Sequence, residues 1–268
     1  MRTTLYYFTG TGNSLACARA IAKGLGDTDL VPIASLRKEK RIRVPTERVG
    51  IACPVYFYTL PVLVREFIPR LDLSGVQYAF LVATMGGFPG LAVEHSEELF
   101  KKAGGELHAG FTVRMFANYV AEYNVRGERS VRAMKGRMER WVQRIVAAVQ
   151  AGERRLEKGG PVDRLLSRAV FALLGRKFVE TGRTRDRRFT VDPSCVHCGT
   201  CAYVCPVENV RLVDGTPQWL GHCEQCFACI HFCPVAAIQV QGKRTRLRGR
   251  YQHPDVRADD IAGQRGVS

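Results

Sequence analysis

The sequence predicts a doubly wound α/β domain followed by a second, smaller domain rich in cysteine. Three observations carry that prediction. Strand-like and helix-like stretches alternate over the first 150 residues, the pattern of a parallel sheet covered on both faces. The first strand runs directly into a loop of glycines and hydroxyls, Thr9-Gly10-Thr11-Gly12-Asn13-Ser14, and then a helix. Eight of the ten cysteines fall between Cys195 and Cys233. A chain of 268 residues has room for about two domains.

Taken in order, residues 3–8 read as a buried strand and residues 14–25 as a helix, with Leu15, Ala18, Ile21 and Leu25 at helical spacing. A short strand covers 30–33, and a charged loop 38–43 leads to a strand at 49–52. Residues 61–68 are helical, with Pro61 near the first turn. The strand 78–83 ends in Thr84-Met85-Gly86-Gly87-Phe88-Pro89-Gly90. A helix over 91–103, a strand over 106–115 and a helix over 131–149 complete the domain at residues 1–150. Right-handed crossovers make this a doubly wound sheet, and ligands of such sheets bind beyond the carboxyl ends of the strands. That rule selects the loops 9–14, 53–60 and 84–90.

Residues 151–187 read as a basic linker. A helix over 164–179 carries Leu166, Val170, Leu173, Leu174 and Phe178 at helical spacing, with Arg168, Arg176 and Lys177 between them. Its apolar face is expected to dock the two domains together, with contact to a membrane surface as the weaker alternative. Residues 188–241 form the cysteine-rich domain, and 242–268, basic and poor in apolar residues, read as a mobile tail. The net charge of +15 is uneven. Residues 1–150 hold 21 basic and 13 acidic residues, whereas 191–240 hold one and four. The cysteine domain is thus an acidic island between basic segments. Such charge speaks first to solubility and steering, and no nucleic-acid partner is expected. The N-terminus reads as strand rather than secretory signal, and no apolar run approaches a bilayer span.

The cysteines form two copies of one motif, offset by 28 positions: Cys195-x2-Cys198-x2-Cys201-x3-Cys205-Pro206 and Cys223-x2-Cys226-x2-Cys229-x3-Cys233-Pro234. The x2 gaps let three thiolates converge on one cubane, while the x3 gap and proline send the fourth sulfur to the other cluster. The expected sets are crossed: Cys195, Cys198, Cys201 and Cys233 for one, Cys223, Cys226, Cys229 and Cys205 for the other. Zinc sites generally use paired cysteines, and a disulfide framework suits small secreted chains. The segment resembles a bacterial-type ferredoxin domain, a small α+β fold with two [4Fe–4S] clusters. Such clusters fit a reducing, cytoplasmic setting.

The loop after the first strand places backbone N–H groups and the hydroxyls of Thr9, Thr11 and Ser14 at a helix N-terminus, a site for an anion. It lacks the third glycine of the dinucleotide fingerprint and the lysine of the P-loop. Phe8-Thr9-Gly10-Thr11-Gly12-Asn13-Ser14 resembles the FMN-phosphate loop of flavodoxins, with Ser14 in place of a final threonine. The resemblance implies a flavodoxin-like, five-stranded sheet in the order 2-1-3-4-5 with FMN at the switch point. The whole chain resembles fused flavodoxin–ferredoxin proteins of anaerobic bacteria and archaea. The flavin ring would then lie against Tyr56, Phe57 and Tyr58 on one loop and Thr84, Gly86 and Gly87 on another, with Phe88 as an alternative cover.

Cys17 and Cys53 read as core residues, and His197, His222 and His231 as non-ligands, because the cysteine sets are complete. Trp219 is expected to pack under a cluster. The function expected is electron transfer: single electrons relayed between two clusters and FMN, and exchanged with other redox proteins. A flavin-dependent reductase of a small acceptor is one alternative, and a basic redox-sensing or interaction protein another. Oligomeric state and the direction of electron flow are not legible.

Overall fold

The computed structural model describes residues 1–125 and 128–266. Its N-terminal region is a flavodoxin-like α/β fold. Strands β1 (Thr3–Tyr7), β2 (Thr28–Pro32), β3 (Arg48–Pro54), β4 (Tyr78–Met85) and β5 (Ala109–Arg114) lie parallel in the order β2-β1-β3-β4-β5. The expected order is present, with one addition. A two-residue strand β6 (Arg155–Leu156) extends the edge beside β5, so the sheet has six strands and the domain runs past residue 150.

Alternation along the strands divides the core in two, because successive side chains point to opposite faces. Tyr6, Phe8, Ile51 and Leu81 pack under α2 (Val62–Phe67) and α3 (Ala92–Lys102). Leu5, Tyr7, Phe80 and Val82 pack under α1 (Asn13–Leu25) and α4 (Glu128–Gln150). Cys17 and Cys53 sit one in each layer, both fully buried, and burial raises both thiols, that of Cys17 to about 12.

The segment after β6 is one continuous helical rod: α5 (Pro161–Val170), a π-turn at Phe171–Gly175 and α6 (Arg176–Thr181). Its buried positions are Ser167, Gly175 and Phe178. Of the expected apolar face, Phe178 points inward and Val170 is half-buried, whereas Leu166, Leu173 and Leu174 point to solvent.

The cysteine-rich region holds β7 (Phe189–Val191) paired with β10 (Ile238–Val240), and the hairpin of β8 (Val210–Val213) and β9 (Thr216–Trp219). Each cysteine run turns through one short helix, α7 (Thr200–Tyr203) or α8 (Ala228–His231). This region continues both core layers: Phe227, Ile230 and Ile238 join the first, and Val204, Ala228 and Phe232 the second.

The C-terminal stretch departs from expectation. Rather than a loose tail, residues 251–265 run over the first domain and end in α9 (Ala258–Ala262). Tyr251, Val256 and Ile261 are buried in the layer under α1, and Gln264 is wholly buried. Apolar anchors, the Gln264 amide, the Tyr251 hydroxyl and buried His253 hold it, while Gln252, Asp255, Arg257 and Asp259 stay in water. Residues 267–268 lie outside the described residues.

Candidate functional site

The two cysteine runs fold as copies of one another. Residues 28 positions apart share left-handed backbone: His197 and Gln225 (φ 55° and 53°), Gly199 and Phe227 (73° and 58°), Glu208 and Ala236 (55° and 50°). Non-glycine residues adopt such angles at a cost, so the repetition is a constraint on chain path. Those turns bring the thiols together, burying Cys201, Cys205, Cys223 and Cys229 and leaving Cys198 exposed. Cys195, Cys198, Cys201 and Cys233 line one cavity, and Cys205, Cys223, Cys226 and Cys229 line a second. The partition is the crossed one.

Main-chain amides support the sulfurs. Asn209 N–H donates to Cys205 Sγ at 3.2 Å and Ala237 N–H to Cys233 Sγ at 3.2 Å, again 28 positions apart. Gln225 N–H donates to Cys223 Sγ at 3.3 Å. The Trp219 indole lines the second cavity, with its Nε1–H toward the Cys229 sulfur. Among the described residues no group of three or more His, Cys, Asp or Glu is placed to hold a metal ion. The chemistry of two four-thiol cavities, with amide donors aimed at sulfur, is that of a polynuclear iron–sulfur group in each. Burial raises the Cys226 thiol to about 12 and Cys201 to about 11.

The histidines between the cysteines line no thiol-only cavity except His197, at the rim of the first. His231 is a strut: its Nε2 faces the Asn118 carbonyl at 2.7 Å, and its Nδ1 accepts from Tyr251 N–H at 3.0 Å. Burial lowers its pKa to about 4.

The loop Thr9–Ser14 lies at the carboxyl end of β1, as expected, but it is not open. Cys226 closes on it: a Cβ on Gly10 would overlap the Cys226 carbonyl and touch the Tyr56 hydroxyl at 3.0 Å. Gly12 (φ 99°) faces Val256, whose Cβ would lie 2.8 Å from an added Cβ. Gln264 brackets Thr9, accepting from its N–H at 2.9 Å and donating to its carbonyl at 3.0 Å. His253 N–H donates to the Thr11 carbonyl at 2.9 Å, Asn118 Nδ2 to Thr11 Oγ1, and Tyr251 Oη to Asn13 Oδ1 at 2.7 Å. Ser14 Oγ pairs with Thr84 Oγ1 at 2.7 Å, and Thr9 Oγ1 accepts from Gly12 N–H at 3.1 Å. All three loop hydroxyls are thus engaged within the protein.

The ring-side residues are also committed. Phe57 stacks on Phe178 of α6 with centroids 3.3 Å apart, and Arg185 lies over both rings. Gly90 abuts the Tyr58 backbone, and Gly86 the Ala117 backbone, where an added Cβ would come within 2.5 Å of Cα. Burial raises the Tyr56 hydroxyl well above its usual pKa, with the Cys226 thiol next in effect. Gly87 has open space beside it, and Phe88 is 69% exposed and covers nothing.

Two tests of FMN therefore diverge. At the phosphate end, the N–H groups of Gly10, Thr11, Asn13, Ser14 and Leu15 have no protein acceptor among the described residues, and buried His253 Nε2 is without a partner. Those donors suit a phosphate. At the ring end, Phe57 is stacked on Phe178 and Gly90 is closed on the Tyr58 backbone, so a ring placed against these residues requires those contacts to open.

Glu224 latches the second cysteine run to the first domain. Its carboxylate accepts from Leu63 N–H at 2.9 Å, at the first turn of α2, and from Arg183 at 3.3 Å. Arg37 and Glu208 form a second bridge between the regions. None of these contacts had a signal in the sequence, since each joins residues more than 40 positions apart. A cleft of about 650 Å³, lined in part by Tyr6, Asp29, Arg41 and Arg43, contains no predicted site residue.

No family model matches the chain, and no curated protein matches it. Among solved structures, the chain is similar to the two-electron reduced flavodoxin of Megasphaera elsdenii, at 17% identity over 53% of this chain and 98% of that one, with a TM-score of 0.34. A flavodoxin from the domain Archaea is 15% identical over 54% of this chain and 99% of that one, TM-score 0.32. Rubredoxin oxygen:oxidoreductase from Desulfovibrio gigas is 14% identical over 56% of this chain and 36% of that one, TM-score 0.36. The fold assignment stands on the strand order described above. No helix among the described residues is long and apolar enough to cross a membrane.

Proposed function

We propose that the chain is an iron–sulfur electron-transfer protein that carries single electrons on two [4Fe–4S] clusters and exchanges them with other redox proteins. One cluster would be held by Cys195, Cys198, Cys201 and Cys233, the other by Cys223, Cys226, Cys229 and Cys205. The observation that carries this reading is the pair of four-cysteine cavities with their crossed membership. Each cluster, when bound, supplies a one-electron couple. The protein's part is positioning and tuning. Amide donors from Asn209, Gln225 and Ala237 stabilise charge on the coordinating sulfurs. Trp219 and Phe227 shield the second cavity from water. Binding the metal also has to displace protons from thiols that burial disfavours ionising, so loading releases protons.

FMN at the Thr9–Ser14 loop is the second reading. It is favoured by the flavodoxin-like fold and by the unpaired amide donors at the start of α1. It requires the C-terminal segment and Phe178 to move, so no step is routed through it. Reduction of a small acceptor would need the same opening.

Anaerobic purification followed by iron, sulfide and flavin analysis tests both readings. The expected result is about eight irons per chain and little flavin unless the C-terminal segment is loosened. Zinc in place of iron would sink the cluster reading. A stoichiometric, tightly held flavin in the intact chain would show that the closed arrangement is not the resting one.

A further inference from the structure

The helical rod Pro161–Thr181 presents its apolar side outward. Val162, Leu165, Leu166, Leu173 and Leu174 are 62–78% exposed. They are five of the fifteen exposed large apolar side chains among the described residues, gathered within 13 positions. Single exposed apolar residues need no explanation, but a contiguous strip does. The opposite side is firmly placed: Ser167, Gly175 and Phe178 are buried, Phe171 meets His95 edge-on, and Phe178 stacks on Phe57. The rod therefore cannot roll its apolar strip inward without breaking those contacts.

Charge decides what covers it. Arg168, Arg176 and Lys177 are exposed on the rod and form no ion pair among the described residues. Arg164 is tied back to Glu94 at 3.0 Å. The chain as a whole carries +15. A second copy laid on the strip would bring like charges together. A surface that is apolar beneath and anionic at its face matches both features.

We propose that this rod is a peripheral anchor that lies flat on an anionic lipid bilayer, with the leucine strip in the acyl boundary and Arg168, Arg176 and Lys177 among the headgroups. At 21 residues it would lie along about 30 Å of membrane. The inward side of the same rod, at Phe178 and Val179, lines a small cavity together with Gly182 just past its end and with Tyr56, Cys223 and Glu224. If the cluster reading above holds, docking would set the Cys223 cluster about one helix diameter, roughly 10 Å, from the lipid.

The test is vesicle sedimentation of the full, cluster-loaded chain with pure phosphatidylcholine and with mixtures containing one-third phosphatidylglycerol. Binding to the anionic vesicles only is expected, weakened by high salt. The double variant L165E/L173E should bind at least tenfold more weakly, and R168Q/R176Q/K177Q should lose about fivefold per charge removed. Unchanged iron content and circular dichroism confirm folded variants. The charge variant, which leaves the apolar strip intact, decides the matter if the leucine variant misfolds. Absence of binding to either vesicle overturns the proposal. So does equal, salt-insensitive binding to neutral vesicles. Sedimentation velocity that finds a dimer abolished by L165E/L173E would assign the strip to self-association instead. Because the readout is lipid binding, it is independent of whether the cysteines hold iron.

Discussion

Replacing Gln264 with leucine should unlock the C-terminal segment from the loop that begins α1. The amide makes three hydrogen bonds: from Thr9 N–H (2.9 Å), to the Thr9 carbonyl (3.0 Å) and to the Ile261 carbonyl (3.2 Å). Thr9 and Gln264 are both buried, at 1% and 0% exposure. Leucine is close in size, so the volume is kept and the polar partners are lost. Each net hydrogen bond contributes about 1 kcal/mol, and each backbone group left buried and unpaired costs about 1–3 kcal/mol. The docking of residues 251–265 should weaken by about 2–5 kcal/mol. That is less than the stability of a typical domain, so the chain should stay folded while the segment opens locally. Hydrogen exchange read by mass spectrometry is the assay. Peptides spanning 9–15 and 251–264 should lose protection by about 30-fold or more, at 1.4 kcal/mol per decade, while β3 and β4 keep theirs. The FMN affinity of the variant should rise by up to the same factor, since the closed state would no longer compete as strongly. Protection unchanged at residues 9–15, or lost evenly across the whole chain, would refute the idea that Gln264 is the specific clasp.

Four further outcomes follow from the same geometry. Cys205→Ser should remove the cluster held with Cys223, Cys226 and Cys229 and spare the one beside Cys195, leaving about four irons; spectroscopic loss of the Cys195 cluster instead would favour uncrossed ligation. Gly12→Val should lower the urea midpoint by a stability change of about 1–3 kcal/mol, through its φ of 99° and the approach of Val256, with iron content unchanged. Phe178→Ala should cost about 3–5 kcal/mol by emptying the stack on Phe57, visible in near-ultraviolet dichroism. His95 is held neutral by burial and by Arg65, with a pKa of about 4 against 6.5 unfolded. The unfolded chain thus binds the extra proton between those values, and stability should fall as pH drops from 6.5 to 4. For a half-buried ring the loss is about 1–2 kcal/mol. Urea melts at pH 7 and pH 5 check it, and His95→Gln should remove this share of the difference while leaving that of the similarly lowered His231 and His253.

What the sequence made legible was local. The strand-to-loop-to-helix signature at residues 3–25 is a short-range pattern and lies where it was read, and the doubled cysteine spacing is one too, with its eight thiols gathered in two cavities. The 28-residue repeat even reappears in the backbone angles, because the same gaps impose the same turns. What escaped was long-range. Nothing near Phe57 announces that Phe178, 121 positions later, will stack on it. The segment 251–265 looked loose because its few apolar residues have no period; its hold is a side-chain amide against main chain, which leaves no pattern. The helix at 161–181 shows the limit of periodicity itself. Its leucines marked an apolar stripe correctly, but not which stripe would face the protein.

The clasp between Gln264 and Thr9 joins residues 255 positions apart. During synthesis the parallel sheet is complete long before that clasp exists. At about 5–20 residues per second, the stretch from the end of α4 to Gln264 takes roughly 6–23 seconds to emerge. Through that interval the cradle at the start of α1 has neither Val256 nor His253 above it. A phosphate-bearing ligand would therefore meet a more open loop on the nascent chain than on the finished protein, where it has to compete with the docking of residues 251–265.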